Sequence, residues 1–483
     1  MVKRRGYWVG LLLLVVLLVE IRADDAVYDL VIKEGRVMDP ESGLDAVRWL
    51  GIDEGKIVAI SEESLKGRTY ISAAGLVVAP GFIDLHQHAQ DPETYWRKVQ
   101  DGVTSALELE VGTAEVDDWY DERKGRLPIH HGVSVGHIHV RMKVMGDEPG
   151  FLPAGDDLAV TQQASPDQIV EMKREIERGL KEGAVGVGFG IGYTPVATRW
   201  EILEMFRVAG DFGACCHVHL RGRREKAPGS SIEGLGEVIA ASVVSGAALH
   251  VVHIQSTGGP VTQELLQMVA AARERGLDVT AECYPYTAGM TDLSSAIFNP
   301  GWRDKFKLDY DAIQWPSTGE RLTAETFAKY RKQGGLIVLH ANTEKVVADA
   351  IKHPLTMIAS DGLKGHPRNA GTFARVLGRY VRERKDLDLM QALRKITLMP
   401  AQRLENRVPE MKNKGRVRVE ADADLTIFDP EKIIDQATYT DAMLPSKGIE
   451  YVLVSGVPVV IRGMVDKEKL VGKAIRAAIS SSN

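Results

Sequence analysis

The chain has 483 residues, too many for one small core and suited to a large domain with a smaller companion. Apolar residues make up 44% and charged residues 26%, the balance of a folded globular protein. The net charge of -6, without a basic aromatic-interleaved patch, zinc-finger spacing, P-loop or fixed-period repeat, argues against nucleic acid as a partner.

Residues 1–23, MVKRRGYWVGLLLLVVLLVEIRA, begin basic at Lys3, Arg4 and Arg5 and continue apolar from Tyr7 to Val19. Ala23 puts a small residue ahead of Asp24 and Asp25. The pattern is that of a secretory signal peptide cleaved after Ala23, which predicts a periplasmic or secreted protein. The other reading is an uncleaved N-terminal anchor, the one route by which this chain would meet a membrane; the apolar run is short for a full span.

From residue 24 to 79, YDLVIKEGRVMDP, RWLGIDEGKIVAI and GLVVAPGFIDLH alternate in hydropathy and turn at glycines, as short strands do. ADLTIFDP and YVLVSGVPVVIRG repeat that character within residues 401–483. A β-sandwich built from both chain ends is expected to enclose the middle.

Residues 80–400 alternate apolar strands with amphipathic helices. The strand candidates are GFIDLH, SALELEV, VSVGHIHV, AVGVGFGI, ACCHVHL, LHVVHIQ, DVTAECYPY and TMIASDG. SPDQIVEMKREIERGLKEG, RWEILEMFRVAGDFG and VTQELLQMVAAARERGL fall between them as helices. Eight nearly continuous apolar strands with helical crossovers predict an α/β fold, a (β/α)₈ TIM-like barrel. The rhythm breaks near 287–337, where a long insertion before the last strand predicts a lid. Cys215, Cys216 and Cys283 lie in strand-like apolar runs, so buried free thiols fit better than a disulfide framework.

Barrel chemistry sits at the C-terminal strand ends. His86 and His88 are two apart at the first, so they share a face and suit a metal-ligand pair. His219 is nearer the mouth of its strand than His217, which reads as a satisfied wall residue. His253 is nearer the mouth than His250, and the two lie on opposite faces of a strand. Asp361 ends the last candidate. Four nitrogens and a carboxylate suit Zn²⁺ or another borderline divalent ion, one or two in number. Such an ion acidifies water to a pKa of about 7, and Asp361 would take that proton and hand it to a leaving nitrogen. The set is a hydrolase kit for a small-molecule amide or ester.

The arrangement resembles the metal-dependent amidohydrolase superfamily and, within it, the D-aminoacylase (N-acyl-D-amino-acid deacylase) group. The resemblance runs over nearly the whole chain after Asp25. It rests on VAPGFIDLHQH, VGHIHVRMKVMG with His137 and Arg141, GAVGVGFGIGY ending in Tyr193, HLR at His219 to Arg221, YPYTAG from Tyr284, SDG followed by His366-Pro367-Arg368, ITLMPAQRL and ADADLTIFDP. It implies a barrel with a flanking β-sandwich, and hydrolysis of the amide bond of N-acyl-D-amino acids. By the same resemblance Asp361 is the general acid/base, and His86, His88, His219 and His253 are metal ligands. Tyr193 would polarise the scissile carbonyl, and Tyr284 and Arg368 would hold the substrate carboxylate, which a guanidinium fork grips bidentately.

Two departures matter. Such proteins usually carry a metal-bridging cysteine at the end of the second strand; here Glu108 and Glu110 share that face. Glu110, nearer the mouth, is taken as the bridge, with Glu108 or a purely structural role as the alternatives. A carboxylated lysine bridge on the fourth strand is closed, because AVGVGFGI has no lysine. The lysine expected after the sixth-strand histidine is replaced by Gln255, a neutral candidate for substrate contact. Arg221 either touches substrate or pairs with a glutamate; His137 and His139 are two apart on the third strand, and His137, which matches the resemblance, is read as bonding a ligand rather than the metal. His130 and His131 follow a proline in what reads as a solvent-exposed turn, and His366 either orients the lid or touches substrate. GFGIGY lacks the helix and downstream acid of a dinucleotide loop. The leading expectation is an exported amidohydrolase for N-acyl-D-amino acids. A dipeptidase (isoaspartyl or other) or cyclic amide hydrolase on the same scaffold, and a non-catalytic binding protein on a degenerate barrel, are the alternatives.

Overall fold

The computed structural model describes residues 27–222 and 229–479, so the predicted signal segment lies outside the described residues. Eight strands hydrogen-bond in chain order into one parallel sheet: Phe82–Asp84, Val103–Thr113, His130–Gly136, Gly186–Gly190, Cys215–His219, Ala248–Val251, Val279–Cys283 and Thr356–Ile358. Nearly every residue in them is buried, as a sheet covered on both faces requires. The crossover helices obey local sequence rules. Pro166–Lys181 starts with Pro at its first turn and a reciprocal capping box between Ser165 and Gln168.

The first and eighth strands lack a regular ladder, and a polar seam closes the barrel between them. His88 N and Ala89 N both donate to Gly362 O at 3.0 Å, and Ser360 N donates to Asp84 Oδ1 at 2.9 Å. Lys98, buried, donates to Asp84 Oδ2 at 2.7 Å and to Ser360 Oγ at 2.5 Å. A buried ammonium is tolerated here because a carboxylate and a hydroxyl face it. This seam sets the position of Asp361 relative to His86 and His88.

The second unit is a nine-stranded sheet from both chain ends, joined where Val77–Pro80 pairs antiparallel with Leu425–Phe428. Ile32, Val37, Leu50, Val78, Leu425 and Leu453 form its core. Residue 401 falls inside the helix Leu398–Leu404, and the C-terminal strands of the sheet begin only at Leu425. The C-terminal tail then returns under the barrel: His131 N donates to Lys473 O, and Ile475 N to His131 O. This corrects the expected exposed turn at His130 and His131. Both are buried in the third strand beneath the tail, and His130 Nε2 lies 3.1 Å from Asp424 Oδ1. His137 and His139 are corrected too, because the strand ends at Gly136 and both sit on the helix His137–Met145.

Between the seventh and eighth strands the chain builds a small antiparallel sheet from Ala288–Asp292, Ile313–Gln314 and Leu336–His340, with the helix Ala324–Gln333. The excursion has its own apolar cluster, including Leu293, Phe298, Trp302, Ile313 and Ile337. It is anchored at its root by Asn342 N donating to Thr287 O at 2.9 Å.

Candidate metal centre

The site forms where the strands stop. His86 and His88 emerge just past the first strand, two residues apart, and bring their Nε2 atoms to 2.9 Å from each other. Glu110 reaches in from the second strand, 2.7 Å from His86 Nε2, 3.6 Å from His88 Nε2, 3.4 Å from His253 Nε2 and 3.1 Å from His219 Nδ1. Asp361 Oδ1 lies 3.6 Å from His86 Nε2 and 3.3 Å from His88 Nε2. His253 and Asp361 have φ of 32° and 50°, a left-handed backbone that non-glycine residues seldom adopt. Such strain persists where surrounding structure fixes it, as it does at working sites.

The ligand atoms fall into two groups, each spanning at most 4.8 Å: His86, His88, Glu110 and Asp361, and Glu110, His219 and His253. Glu110 belongs to both. Glu108, on the same face, turns away: its carboxylate faces His88 Nδ1 at 2.7 Å and accepts from Val111 N and Gly112 N. Same-face geometry left these two glutamates equivalent, and their different depth along the strand separates them.

These residues fit a divalent cation. Both strand-one rings have Nδ1 against a carboxylate, His86 with Glu282 at 2.5 Å and His88 with Glu108 at 2.7 Å. With the proton on Nδ1, each Nε2 is an acceptor. Two acceptors then face one another at 2.9 Å beside the Glu110 and Asp361 carboxylates. A buried set of that kind needs positive charge among its atoms.

The cavity over the cluster is lined by Tyr193, His219, Arg221, Tyr284, Lys305 and Asp361, with apolar wall from Met290, Ile297 and Leu339. Tyr193 Oη is 3.0 Å from Thr291 Oγ1, and its ring packs on His219. Arg368 is fully buried, with Nη1 2.8 Å from Asp361 Oδ2 and its guanidinium 4.7 Å from the Tyr284 ring centroid. Arg221 lines the cavity, but Glu237 binds it bidentately at 2.9 and 2.8 Å and Pro195 O accepts from it as well.

Gln255 departs from its expected substrate contact. It is buried below the cavity wall and donates to Tyr284 O at 3.3 Å, supporting that loop. His217 is likewise not a satisfied wall residue; among the described residues neither ring nitrogen has a hydrogen-bond partner. His250 does not turn outward from His253's side of the strand; its Nε2 reaches Glu282 Oε2 at 3.0 Å inside the barrel. His137 Nε2 meets Glu201 Oε1 at 2.8 Å in a buried network with Arg141, and His366 Nε2 meets Ala288 O where the excursion after the seventh strand begins.

Two groups escaped the sequence reading. Lys305, on the helix Trp302–Phe306 of the excursion between the seventh and eighth strands, reaches the cavity from a segment with no motif. Glu282 was visible as a lone carboxylate in the apolar DVTAECYPY, a signal that a buried acid needs a partner.

With that geometry in place, the comparisons with known proteins become specific. The amidohydrolase family model matches residues 69–460. The chain belongs to the amidohydrolase family. An N-acyl-D-glutamate deacylase of Alcaligenes xylosoxydans xylosoxydans is 31% identical over 482 residues, covering 89% of this chain and 93% of the relative. The D-aminoacylase of the same organism is 27% identical, covering 91% and 96%. Among solved structures, N-acyl-D-glutamate deacylase from Bordetella bronchiseptica, complexed with zinc and a phosphonate inhibitor, is 26% identical, with a TM-score of 0.78 over 94% of this chain and all of that one. This protein is therefore a metal-dependent amidohydrolase, a hydrolase of carbon–nitrogen bonds other than peptide bonds.

Electrostatics in this amidohydrolase agree with a cation-binding role. Burial disfavours a charged His86, yet the Glu282 and Asp361 charges outweigh it and hold its pKa up at about 10, so these carboxylates demand a positive charge that either a second ring proton or a cation at Nε2 supplies. Burial would neutralise Glu110, but hydrogen bonds from His219, His253 and His86 hold it well below the usual carboxylate range. Asp361 likewise stays ionised against burial, lowered to about 2 by Arg368 and then His86. Burial, and next the Glu110 charge, push the Tyr193 phenol well above its ordinary 10, so it remains a proton donor.

Proposed function

We propose that this amidohydrolase deacylates N-acyl-D-amino acids, favours acidic side chains, and works outside the cytoplasm. The observation that carries the reading is the two-part cluster centred on Glu110 at the floor of a cavity walled by Tyr193, Tyr284 and Lys305. Divalent ions held there by His86, His88, Glu110, His219, His253 and Asp361 would supply a Lewis acid for a carbonyl and an acidified water. The chain's own groups supply the rest. Tyr193 Oη donates to the carbonyl oxygen as charge builds on it. Asp361 has Oδ1 facing the cluster and Oδ2 held by Arg368. It takes the attacking water's proton at Oδ1 and delivers it to the departing amide nitrogen as the C–N bond breaks. Tyr284, backed by Arg368, faces the substrate's α-carboxylate. Lys305 lines the same cavity and would offer a cation to a side-chain carboxylate, in keeping with the two relatives named for N-acyl-D-glutamate.

The test is amine release by the zinc-loaded chain from Asp24 onward. The substrates are N-acyl-D-glutamate, other N-acyl-D-amino acids, their L-enantiomers, dipeptides and cyclic amides, each with a chelator control. Chelator-sensitive turnover of D-substrates, fastest for D-glutamate, is expected. Silence on every D-substrate with turnover of dipeptides or cyclic amides would transfer the protein to that chemistry. Export rests on residues 1–23, and the mature N-terminus of protein recovered from a periplasmic fraction checks it; Asp24 is expected.

A further inference from the structure

The end of the barrel opposite the metal centre carries a cleft of about 400 Å³, where the seventh and eighth strands begin. Three arginines line it from three helices: Arg273 of Thr262–Glu274, Arg394 of Leu389–Ile396 and Arg403 of Leu398–Leu404. The one acid in the lining is Asp278, which Arg403 holds bidentately at 2.6 and 2.7 Å. That pair explains why Arg403 can be buried, although its Nε has no hydrogen-bond partner among the described residues. Burial raises the Asp278 pKa, but Arg403 and, after it, Arg273 hold it below the usual range, so two guanidiniums already surround one carboxylate. The other two arginines have no acid of their own. Arg273 donates to Val279 O at 2.8 Å and Arg394 to Pro40 O at 3.3 Å, and among the described residues neither forms a salt bridge. Three guanidiniums against one carboxylate leave two positive charges in the lining, on a chain whose net charge is -6.

Like charges gathered in a concave wall repel one another, and water screens them less there than on an open surface. Guanidiniums around such a cleft suit an anion whose oxygens accept from them in forks. Charge selects the anion. A monocarboxylate would neutralise half of the excess, whereas a phosphate group, which carries about -1.5 to -2 at pH 7, would neutralise nearly all of it. Gln402 and Asn406 add amide donors to the lining, and Leu355 and Met399 give it an apolar wall. We propose that this cleft binds a phosphate-class dianion, either free phosphate or a phosphate monoester whose organic group lies on Leu355 and Met399. The cleft is at the far end of the barrel from the cavity lined by Tyr193 and Tyr284, so its ligand and the amide substrate can be bound together. The proposal is independent of which amide the enzyme hydrolyses.

The experiment is calorimetric titration of the zinc-loaded full chain with inorganic phosphate, phenyl phosphate and acetate, against chloride at matched ionic strength. A metal centre also attracts oxyanions, so His219→Ala is titrated beside wild type to separate the two ends of the barrel. Wild type and His219→Ala are expected to share one saturable phosphate site, with acetate bound more weakly. Arg273→Ala and Arg394→Ala should each weaken that site about 10-fold, the cost of one charge-assisted hydrogen bond, and the double variant should abolish it. Both side chains are exposed, so the variants should melt as wild type does and keep its amine release in phosphate-free buffer. Tighter binding of phenyl phosphate would assign the site to a monoester, and equal or weaker binding to free phosphate. Wild-type phosphate affinity in the double variant, phosphate binding that disappears in His219→Ala, acetate binding as tight as phosphate, or no saturable binding at all overturns the proposal.

Discussion

Replacing Glu110 by Gln keeps the side chain's shape and removes the one charge that both halves of the centre share. Its carboxylate lies within 2.7–3.6 Å of nitrogens from all four ligand histidines. A partner outside the ligand shell is worth about 10–100-fold in metal affinity. A ligand itself should therefore cost at least about 100-fold, or about 2.7 kcal/mol, for each ion it contacts. Glu110→Gln thus weakens both ions, whereas Glu108→Gln weakens one. The assay is zinc stoichiometry after exhaustive dialysis, paired with calorimetric titration and amine release. The expected result is a stripped, inactive Glu110→Gln whose melting temperature no longer rises with added zinc. Two ions retained at wild-type affinity by a folded Glu110→Gln would refute a shared role for this carboxylate and return the question to Glu108.

His219→Ala should lose metal at its half-site together with activity; full activity in that variant would remove His219 from the centre. Tyr193→Phe gives up one donor to the developing oxyanion, so kcat should fall about 10²–10³-fold with little change in KM, measured by steady-state amine release. Lys305→Ala should raise KM for N-acyl-D-glutamate and leave an N-acyl-D-leucine analogue nearly unchanged; equal effects on both would show that the lysine does not read the side chain. Remote from the site, Asp424 is buried and faces Lys414 at 2.7 Å and His130 at 3.1 Å. Burial raises its pKa, but Lys414 and His130 override this and hold it far below 3.8. Its contribution is therefore present above about pH 3.8 and lost as pH falls through the depressed value. Asp424→Asn should cost about 3–5 kcal/mol at neutral pH, with the gap from wild type closing in strong acid, read from denaturant midpoints across pH.

Periodicity and residue type made much of this protein readable. Eight apolar runs separated by amphipathic helices predict a barrel, because a strand buried on both faces has few polar positions to offer. Polar residues at the ends of those runs then stand out, which is how His86, His88, His219, His253 and Asp361 are found together. The Ser165 and Pro166 signal sets a helix start by local hydrogen bonding alone. Other features depend on contacts that no local pattern encodes. His130 and His131 are buried because residues 472–477 come back beneath them from the far end of the chain. Gln255 sits under Tyr284 because the chain bends sharply at His253, and Lys305 reaches the cavity only because the excursion folds as a unit with its own core. The division of labour between Glu108 and Glu110 is likewise tertiary. Two residues on one face of a strand look alike in sequence, and only depth in the barrel decides which carboxylate meets four histidines and which backs one. Alternation thus fixes the direction of a side chain. Its height above the barrel floor, and the partners waiting there, follow from strands and loops distant in the chain.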